Sequence, residues 1–187
     1  MLDKKHLRRK FFKIRKKNYF EVQDHYFLPI MKLLRKFPKN KIIHISSYYP
    51  SNFEVNTLNF LKIIEKKRNK INLLPVIFKK RFIKFYKWKY LDILKVNRFG
   101  MLEPVVEKQK SFMPDLILLP LLAFDKYNNR LGYGKGFYDI FLNKYLKLNK
   151  KIITVGVAFS FQKYNKLPIS EHDVKLNYIL TEKGLQK

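Results

Sequence analysis

The sequence predicts an α/β fold: a single three-layer domain over residues 1–187, with a mostly parallel central sheet flanked by helices. Three observations predict it. After position 40, apolar runs of strand length alternate with stretches of helical periodicity, the pattern of strand–helix–strand units. The run DLILLPLLAFD (Asp115 to Asp125) is almost continuously apolar, as a strand buried on both faces must be. No internal repeat, low-complexity tract or linker divides the chain, so one core is expected.

The elements follow in order. In LDKKHLRRKFFKIRKKNYF, Leu7, Phe11 and Ile14 fall at i, i+4 and i+7, one apolar helical stripe with Asp3 as N-cap and basic residues on the other faces. A second helix is expected from Glu21 to Lys36, stopping near Pro38. KIIHISSYYP gives a short buried strand, Ile42 to Ser46, that runs into a loop at Pro50. Val55, Leu58, Leu61 and Ile64 mark the next helix, which Asn52 could cap, with Glu54 at its start where a carboxylate suits the helix dipole. INLLPVIF is a second strand, and FIKFYKW, alternating through Phe85, a third. FGMLEP (Phe99 to Pro104) reads as loop, DLILLPLLAFD as the central strand. YDIFLNKYLKL presents Tyr138, Phe141, Leu142 and Tyr145 on one helix face, and KIITVGVAF and NYILTE supply the last strands.

Composition excludes several classes. At 47% hydrophobic and 16% aromatic the chain is far from the disordered range. The longest apolar run, LILLPLLAF, is about half of what a bilayer span needs and holds a proline. The basic start lacks the apolar segment of a secretory signal. Without cysteine there can be no disulfide, thiolate metal site or cysteine nucleophile. A cytoplasmic protein with no membrane partner is expected, with a monomer as the default.

The net charge of +27 would ordinarily suggest nucleic acid, because lysines that neutralise phosphates release counterions. Here the charge is scattered along the whole chain and dominated by lysine, whereas arginine is the preferred reader of base edges. Lys, Asn, Ile, Phe and Tyr abound while only Ala123 and Ala158 are alanine, a bias that A/T-rich codons produce without selection for binding. No specific nucleic-acid partner is expected, although the field draws small polyanions.

RLGYGKGFYD (Arg130 to Asp139) holds three of the six glycines. Gly132, Gly134 and Gly136 alternate with Tyr133 and Lys135 between a strand and a helix. Two readings stand: a tight connection, or a cradle whose free N–H groups face an anion, with Arg130 and Lys135 adding charge. The spacing fits neither the GxxxxGK[ST] loop nor the dinucleotide fingerprint. Asp139 is either a Mg²⁺-binding carboxylate beside a phosphate or a helix-start acid. Asp173, in PISEHDVKLNY, is a second such carboxylate or a loop residue, and His172 reads as a loop histidine. No HExxH, GxSxG or Ser/His/Asp spacing occurs.

Taken together, LLPLLAFDKYNNRLGYGKGFYDIFL resembles the signature of the 5-formyltetrahydrofolate cyclo-ligase (5,10-methenyltetrahydrofolate synthetase) family. That signature is a strand ending in P-G-x-A/G-F-D, then R-L-G-x-G-x-G-x-Y-D and a helix. Four weaker likenesses fall in the right order: KKHLR (Lys4 to Arg8), YYPSNFEVNT (Tyr49 to Thr57), FGMLEP and EHDVKLNYILTE. The sequence departs from the pattern at Leu121, where glycine is usual and a side chain could alter the loop backbone. It departs again at Asn177, where an aspartate is common and a charge near the metal site would be lost.

The resemblance implies ATP-dependent cyclisation of 5-formyltetrahydrofolate to 5,10-methenyltetrahydrofolate with Mg²⁺, ATP being a co-substrate. It implies that Lys4, Arg8 and the segment Arg130, Leu131, Gly132, Tyr133, Gly134, Lys135, Gly136, Phe137 and Tyr138 bind ATP. Arg130, Lys135 and Tyr138 would be catalytic, Tyr49, Glu54 and Tyr133 would contact the folate, and Asp139 and Asp173 would serve the metal. Two rivals remain on sequence alone: a basic nucleic-acid-binding domain, and another phosphate-handling α/β enzyme such as a sugar-phosphate isomerase.

Overall fold

A computed structural model describes residues 3–146, 148 and 152–187. Lys147 of the helix expected to run to Leu148, the strand start expected at Lys151, and Leu2 lie outside them. The central sheet has seven strands in the order β11-β10-β9-β6-β1-β2-β3. Its parallel body comprises β1 (Ile43–Ser46), β2 (Lys70–Ile77), β6 (Leu116–Pro120), β9 (Ile153–Val157) and β10 (Tyr178–Thr181). The edges are antiparallel: β3 (Ile83–Lys87) on β2, and β11 (Gly184–Gln186) on β10.

Alternating side chains on the buried strands feed two cores. On one face Ile43, Ile45, Leu116, Leu118, Val155, Val157 and Leu180 pack with α2 (Leu28–Leu34) and α3 (Leu58–Glu65) through Ile30, Leu33, Leu34, Phe60 and Ile64. On the other, Leu73, Ile117, Leu119 and Ile179 meet Phe141 and Leu142 of α4 (Phe137–Leu146). These are the three layers expected.

Connectivity fixes where a ligand can sit. The chain leaves β1, crosses through α3 and returns as β2 on one side; it leaves β6, crosses through α4 and returns as β9 on the other. β1 and β6 are neighbours, so the loops at their carboxyl ends part in opposite directions and open a crevice between them. Those two loops carry Tyr49 and Glu54, and the glycine segment. Over this end lies α1 (Lys4–Asn18), whose N-cap Asp3 accepts a 2.7 Å bond from the His6 N–H as expected. Leu7 and Phe11 bury against Leu122, Ala123, Leu131 and Leu167.

Several elements differ from the sequence expectation. The second helix is a 3₁₀ turn (Asp24–Phe27) followed by the short α2, because Pro29 has no N–H for a helix interior and sits in the first turn. Helix α3 begins at Leu58, so Glu54 precedes it and Asn52 does not cap it; Asn56 Oδ1 accepts from Leu58 N–H at 3.0 Å instead. Asn52 and Phe53 both adopt positive φ in the loop. DLILLPLLAFD breaks after Pro120: Ala123–Phe124 (β7) leave the sheet and pair with Arg130–Leu131 (β8) in a separate ribbon. FGMLEP is not loop throughout, since Leu102–Pro104 (β5) pairs with Leu94–Val96 (β4) as a hairpin.

Leu121 is buried and lies outside the positive-φ set, so its backbone has no need of glycine. Its side chain occupies space freed by Gly156, where an added Cβ would stand 2.7 Å from Leu121 Cδ2 and 2.7 Å from Ile179 Cδ1. Gly156→Ala is therefore expected to destabilise the fold by about 1–3 kcal/mol through overpacking. Urea unfolding measures this, and shortening Leu121 in the same chain should return part of the loss.

Candidate functional site

A cleft of about 1050 Å³ opens at the crevice. Every residue to which the sequence assigned a role lines it: Lys4 and Arg8 from α1, Tyr49 and Glu54 from the loop after β1, Arg130 through Asp139, and Asp173. The spacing of Lys4 and Arg8 explains their partnership, since residues four apart lie one above the other on a helix face.

The glycine segment is held open by arginines. Arg8 Nε donates to the Gly132 carbonyl at 2.9 Å. Gly134 has φ +90°, and a Cβ there would stand 3.0 Å from Arg8 Cζ; Gly136 has φ +72° with open space beside it. At Gly132 a Cβ would come within 2.8 Å of Arg130 Nη1, so the missing side chain is what lets Arg130 pass beneath the loop. The Arg130 side chain is only 4% exposed and donates from Nη2 to Asp139 Oδ1 at 2.7 Å. Its Nε is buried without a partner among the described residues. Lys135 is exposed, with Nζ 5.6 Å from the centre of the Phe99 ring, and Phe99 in turn meets Phe137 edge-on.

Two carboxylates face this cationic loop. Asp139 Oδ1 also takes the Val174 N–H at 3.4 Å, which puts Asp139 beside the Asp173 segment. Asp173 pairs with Lys4 and accepts from Ser170 N–H at 2.7 Å. Burial works to raise its pKa, but the Lys4 and Ser170 hydrogen bonds outweigh it and the carboxyl lies below its ordinary value. Among the described residues no group of three or more His, Asp or Glu gathers as a metal cage. Two carboxylates with phosphate and water oxygens are the set that Mg²⁺ takes, so Asp139 and Asp173 fit that ion rather than a dedicated cage.

At the other end of the cleft Glu54 is buried, accepting from Ser51 N–H at 2.9 Å and from the Tyr133 hydroxyl. Burial pushes its pKa up, and the Tyr133 bond, the Arg15 charge and the Ser51 bonds pull only part of the way back. Tyr138 is held neutral well beyond its usual range, first by burial and then by Glu54, with Arg130 opposing. Tyr49 lines the wall with its ring edge-on to Trp88. The Tyr133 ring stays 39% exposed while its hydroxyl is engaged.

Sequence reasoning missed Arg15, which is 1% exposed and donates to the Tyr133 hydroxyl at 2.6 Å. Its signal was the spacing of four that continues Leu7 and Phe11 onto the buried face, where Ile14 had been expected. It also missed the hairpin that closes one side of the cleft through Phe99, Met101 and Leu102. Buried Glu103 anchors that hairpin, accepting from Ile77 N–H and Asn97 Nδ2, each at 3.1 Å. Asn177, expected near the metal, is not in the cleft. Its Oδ1 accepts from Thr154 N–H at 2.8 Å and Thr154 Oγ1 at 2.9 Å, bonds that an aspartate would make equally.

Comparison with known proteins bears on this geometry directly. A sequence model of the 5-formyltetrahydrofolate cyclo-ligase family matches residues 2–182. The chain is 36% identical over 143 residues to the 5-formyltetrahydrofolate cyclo-ligase of Haemophilus influenzae, covering 73% of this chain and 74% of that one. To the Mus musculus cyclo-ligase it is 45% identical over 69 residues, 36% of this chain and 34% of the mouse protein. The 5,10-methenyltetrahydrofolate synthetase of Aquifex aeolicus superposes with a TM-score of 0.72 at 29% identity, over 98% of this chain and 92% of that one. That of Mycoplasma pneumoniae gives 0.65 at 26% identity, over 96% and 98%. The similarity in sequence and in fold runs along nearly the whole chain, and the protein belongs to the 5-formyltetrahydrofolate cyclo-ligase family of enzymes.

Proposed function

We propose that the protein cyclises 5-formyltetrahydrofolate to 5,10-methenyltetrahydrofolate at the expense of ATP, with Mg²⁺, releasing ADP and phosphate. One observation carries this reading. Tyr133 belongs by its backbone to the arginine-braced glycine loop and by its hydroxyl to Glu54, so an anion cradle and a buried carboxylate meet in one cleft.

The formyl oxygen is a poor leaving group until it is phosphorylated. Transfer of the γ-phosphoryl group to it gives an iminium phosphate and ADP; N10 then attacks the formyl carbon and gives up its proton to water, the ring closes and phosphate departs. Little of this asks for covalent help, so the protein's work is positioning and charge stabilisation. Backbone N–H groups from Gly132 to Gly136 receive the phosphates, with Lys4, Arg8, Arg130 and Lys135 as counter-charge. Glu54 accepts from pterin N–H groups, Tyr49 lies along the folate, and Tyr138, kept as a phenol, can donate rather than repel near the transferring group. Asp139 and Asp173 would hold Mg²⁺, which supplies charge neutralisation to the phosphates when bound.

The test follows methenyltetrahydrofolate by its near-ultraviolet absorbance, with purified protein and 5-formyltetrahydrofolate. Product is expected only when Mg-ATP is present; folded protein that makes none overturns the proposal. Glu54→Gln should raise the KM for 5-formyltetrahydrofolate by about tenfold or more, the scale of a lost charge-assisted hydrogen bond, and leave the KM for ATP nearly unchanged. Steady-state kinetics with each substrate varied in turn would show it.

A further inference from the structure

Arg15 does not line the cleft, yet it is a buried cation without a salt-bridge partner among the described residues. Burying a guanidinium costs several kcal/mol unless charge and hydrogen bonds compensate, and filling space on α1 would need only a leucine or methionine. Its hydrogen bonds say what it serves. Nη1 donates to the Leu121 carbonyl at 3.0 Å, and Nη2 donates to the Asn52 carbonyl at 2.7 Å and the Tyr133 hydroxyl at 2.6 Å. The guanidinium also lies 5.5 Å from the centre of the Tyr133 ring. One side chain thus joins the loop after β1, at Asn52, to two points of the stretch after β6, its start at Leu121 and the glycine segment at Tyr133.

Tyr133 passes the connection on. Its hydroxyl accepts a hydrogen bond from Arg15 and donates one to Glu54, so the connection runs from guanidinium through phenol to carboxylate. Asn52, held by its carbonyl, is two residues before Glu54 and adopts the left-handed region together with Phe53, so its bond to Arg15 anchors the turn that leads to Glu54. Resting on the ligase reading above, we propose that Arg15 is a positioning residue for Glu54, the carboxylate that meets the pterin: acting through Tyr133 and the Asn52 carbonyl, it fixes where Glu54 points and keeps it ionised.

The groups facing Glu54 are Arg15 from α1, Tyr133 from the glycine loop, Tyr138 from α4, and Tyr48 and Ser51 from its own loop. The three tyrosines stay neutral across the working range, since burial raises each of them first. Arg15 is therefore the one permanent cation acting on Glu54 among these groups. Burial already pushes the Glu54 pKa up, and removing the Arg15 charge or the Tyr133 hydroxyl lets it rise further. The pterin needs the ionised form, so the acid limb of kcat/KM for 5-formyltetrahydrofolate must move to higher pH in such variants.

The experiment compares Arg15→Gln, Arg15→Lys and Tyr133→Phe with wild type. In Arg15→Gln the KM for 5-formyltetrahydrofolate should rise about tenfold, the KM for ATP should change by less than about twofold, and the acid limb should shift upward. Arg15→Lys keeps the charge and loses the fork, so it should restore the limb but only part of the KM. Both KM values rising together with an unmoved limb would make Arg15 a purely structural tether and overturn the proposal. If Arg15→Gln does not fold, Tyr133→Phe decides, because it leaves the two backbone bonds of Arg15 in place: an unmoved limb there overturns the proposal as well. A ¹³C titration of Glu54 in ligand-free protein reads the same shift without turnover. Wild type that makes no product sinks the ligase reading, whereas Glu54 titrating alike in wild type and Tyr133→Phe sinks the role of Arg15.

Discussion

Asp139→Asn will lower kcat by about a hundredfold or more, the scale seen when one preorganised charge is taken from a transition-state site, and the variant will still fold. Asparagine keeps an oxygen that can accept from Arg130 Nη2, so the 2.7 Å contact survives in a neutral form. What disappears is the negative charge. Arg130 then lies almost fully buried without its counter-ion, and the proposed Mg²⁺ site would lose one of its two carboxylates. Breaking a buried pair outright costs about 3–5 kcal/mol, and retention of the acceptor keeps the loss below that range. The expected result is a lower melting temperature, a raised Mg²⁺ requirement and a low kcat even at saturating metal. Normal turnover with an unchanged Mg²⁺ requirement would assign Asp139 to structure alone.

Gly134→Ala and Gly136→Ala form the second test, and the two should differ. Both glycines have positive φ, so alanine costs each about 1–2 kcal/mol in backbone strain. Beyond that, Gly136 has open space, while a Cβ on Gly134 presses to 3.0 Å from Arg8 Cζ. Arg8 must shift by a few tenths of an ångström, which strains its bond to the Gly132 carbonyl that braces the loop. Gly134→Ala should therefore weaken ATP by a further tenfold or so over Gly136→Ala, about one charge-assisted hydrogen bond, at similar melting temperatures. Titration calorimetry with a non-hydrolysable ATP analogue would show whether the difference exists.

The parts of this molecule legible in the sequence are those that local patterns report. Leu116 to Leu119 announced a strand buried on both faces, and Leu7 with Phe11 a helix stripe, because apolar burial writes itself at a fixed period. β4 was silent for the opposite reason: Leu94, Lys95 and Val96 are half-buried or exposed, so alternation carries no message there. Pro29 and Pro120 cut elements that hydropathy alone had run together. The positions lining the cleft were legible through motif spacing, not through energetics. Arg15 was hidden because a lysine- and arginine-rich helix offers no local sign of which cation faces inward; only the partners it meets, Asn52, Leu121 and Tyr133, reveal it. Glu54 had looked like a helix-start acid until α3 proved to begin four residues later.

The pairing of Lys4 with Asp173 joins residues 169 positions apart, across almost the whole length described. Such a contact adds to the share of distant pairings that slow folding, and it cannot form while the later residues are still being synthesised. The Lys4 end of the cleft is thus complete only once Asp173, which lies just before the last parallel strand, has been made. A nascent or clipped chain that had already folded its earlier strands would hold the glycine loop without Asp173 opposite Lys4. Under the proposed function, such a chain would also lack one of the two carboxylates meant for Mg²⁺.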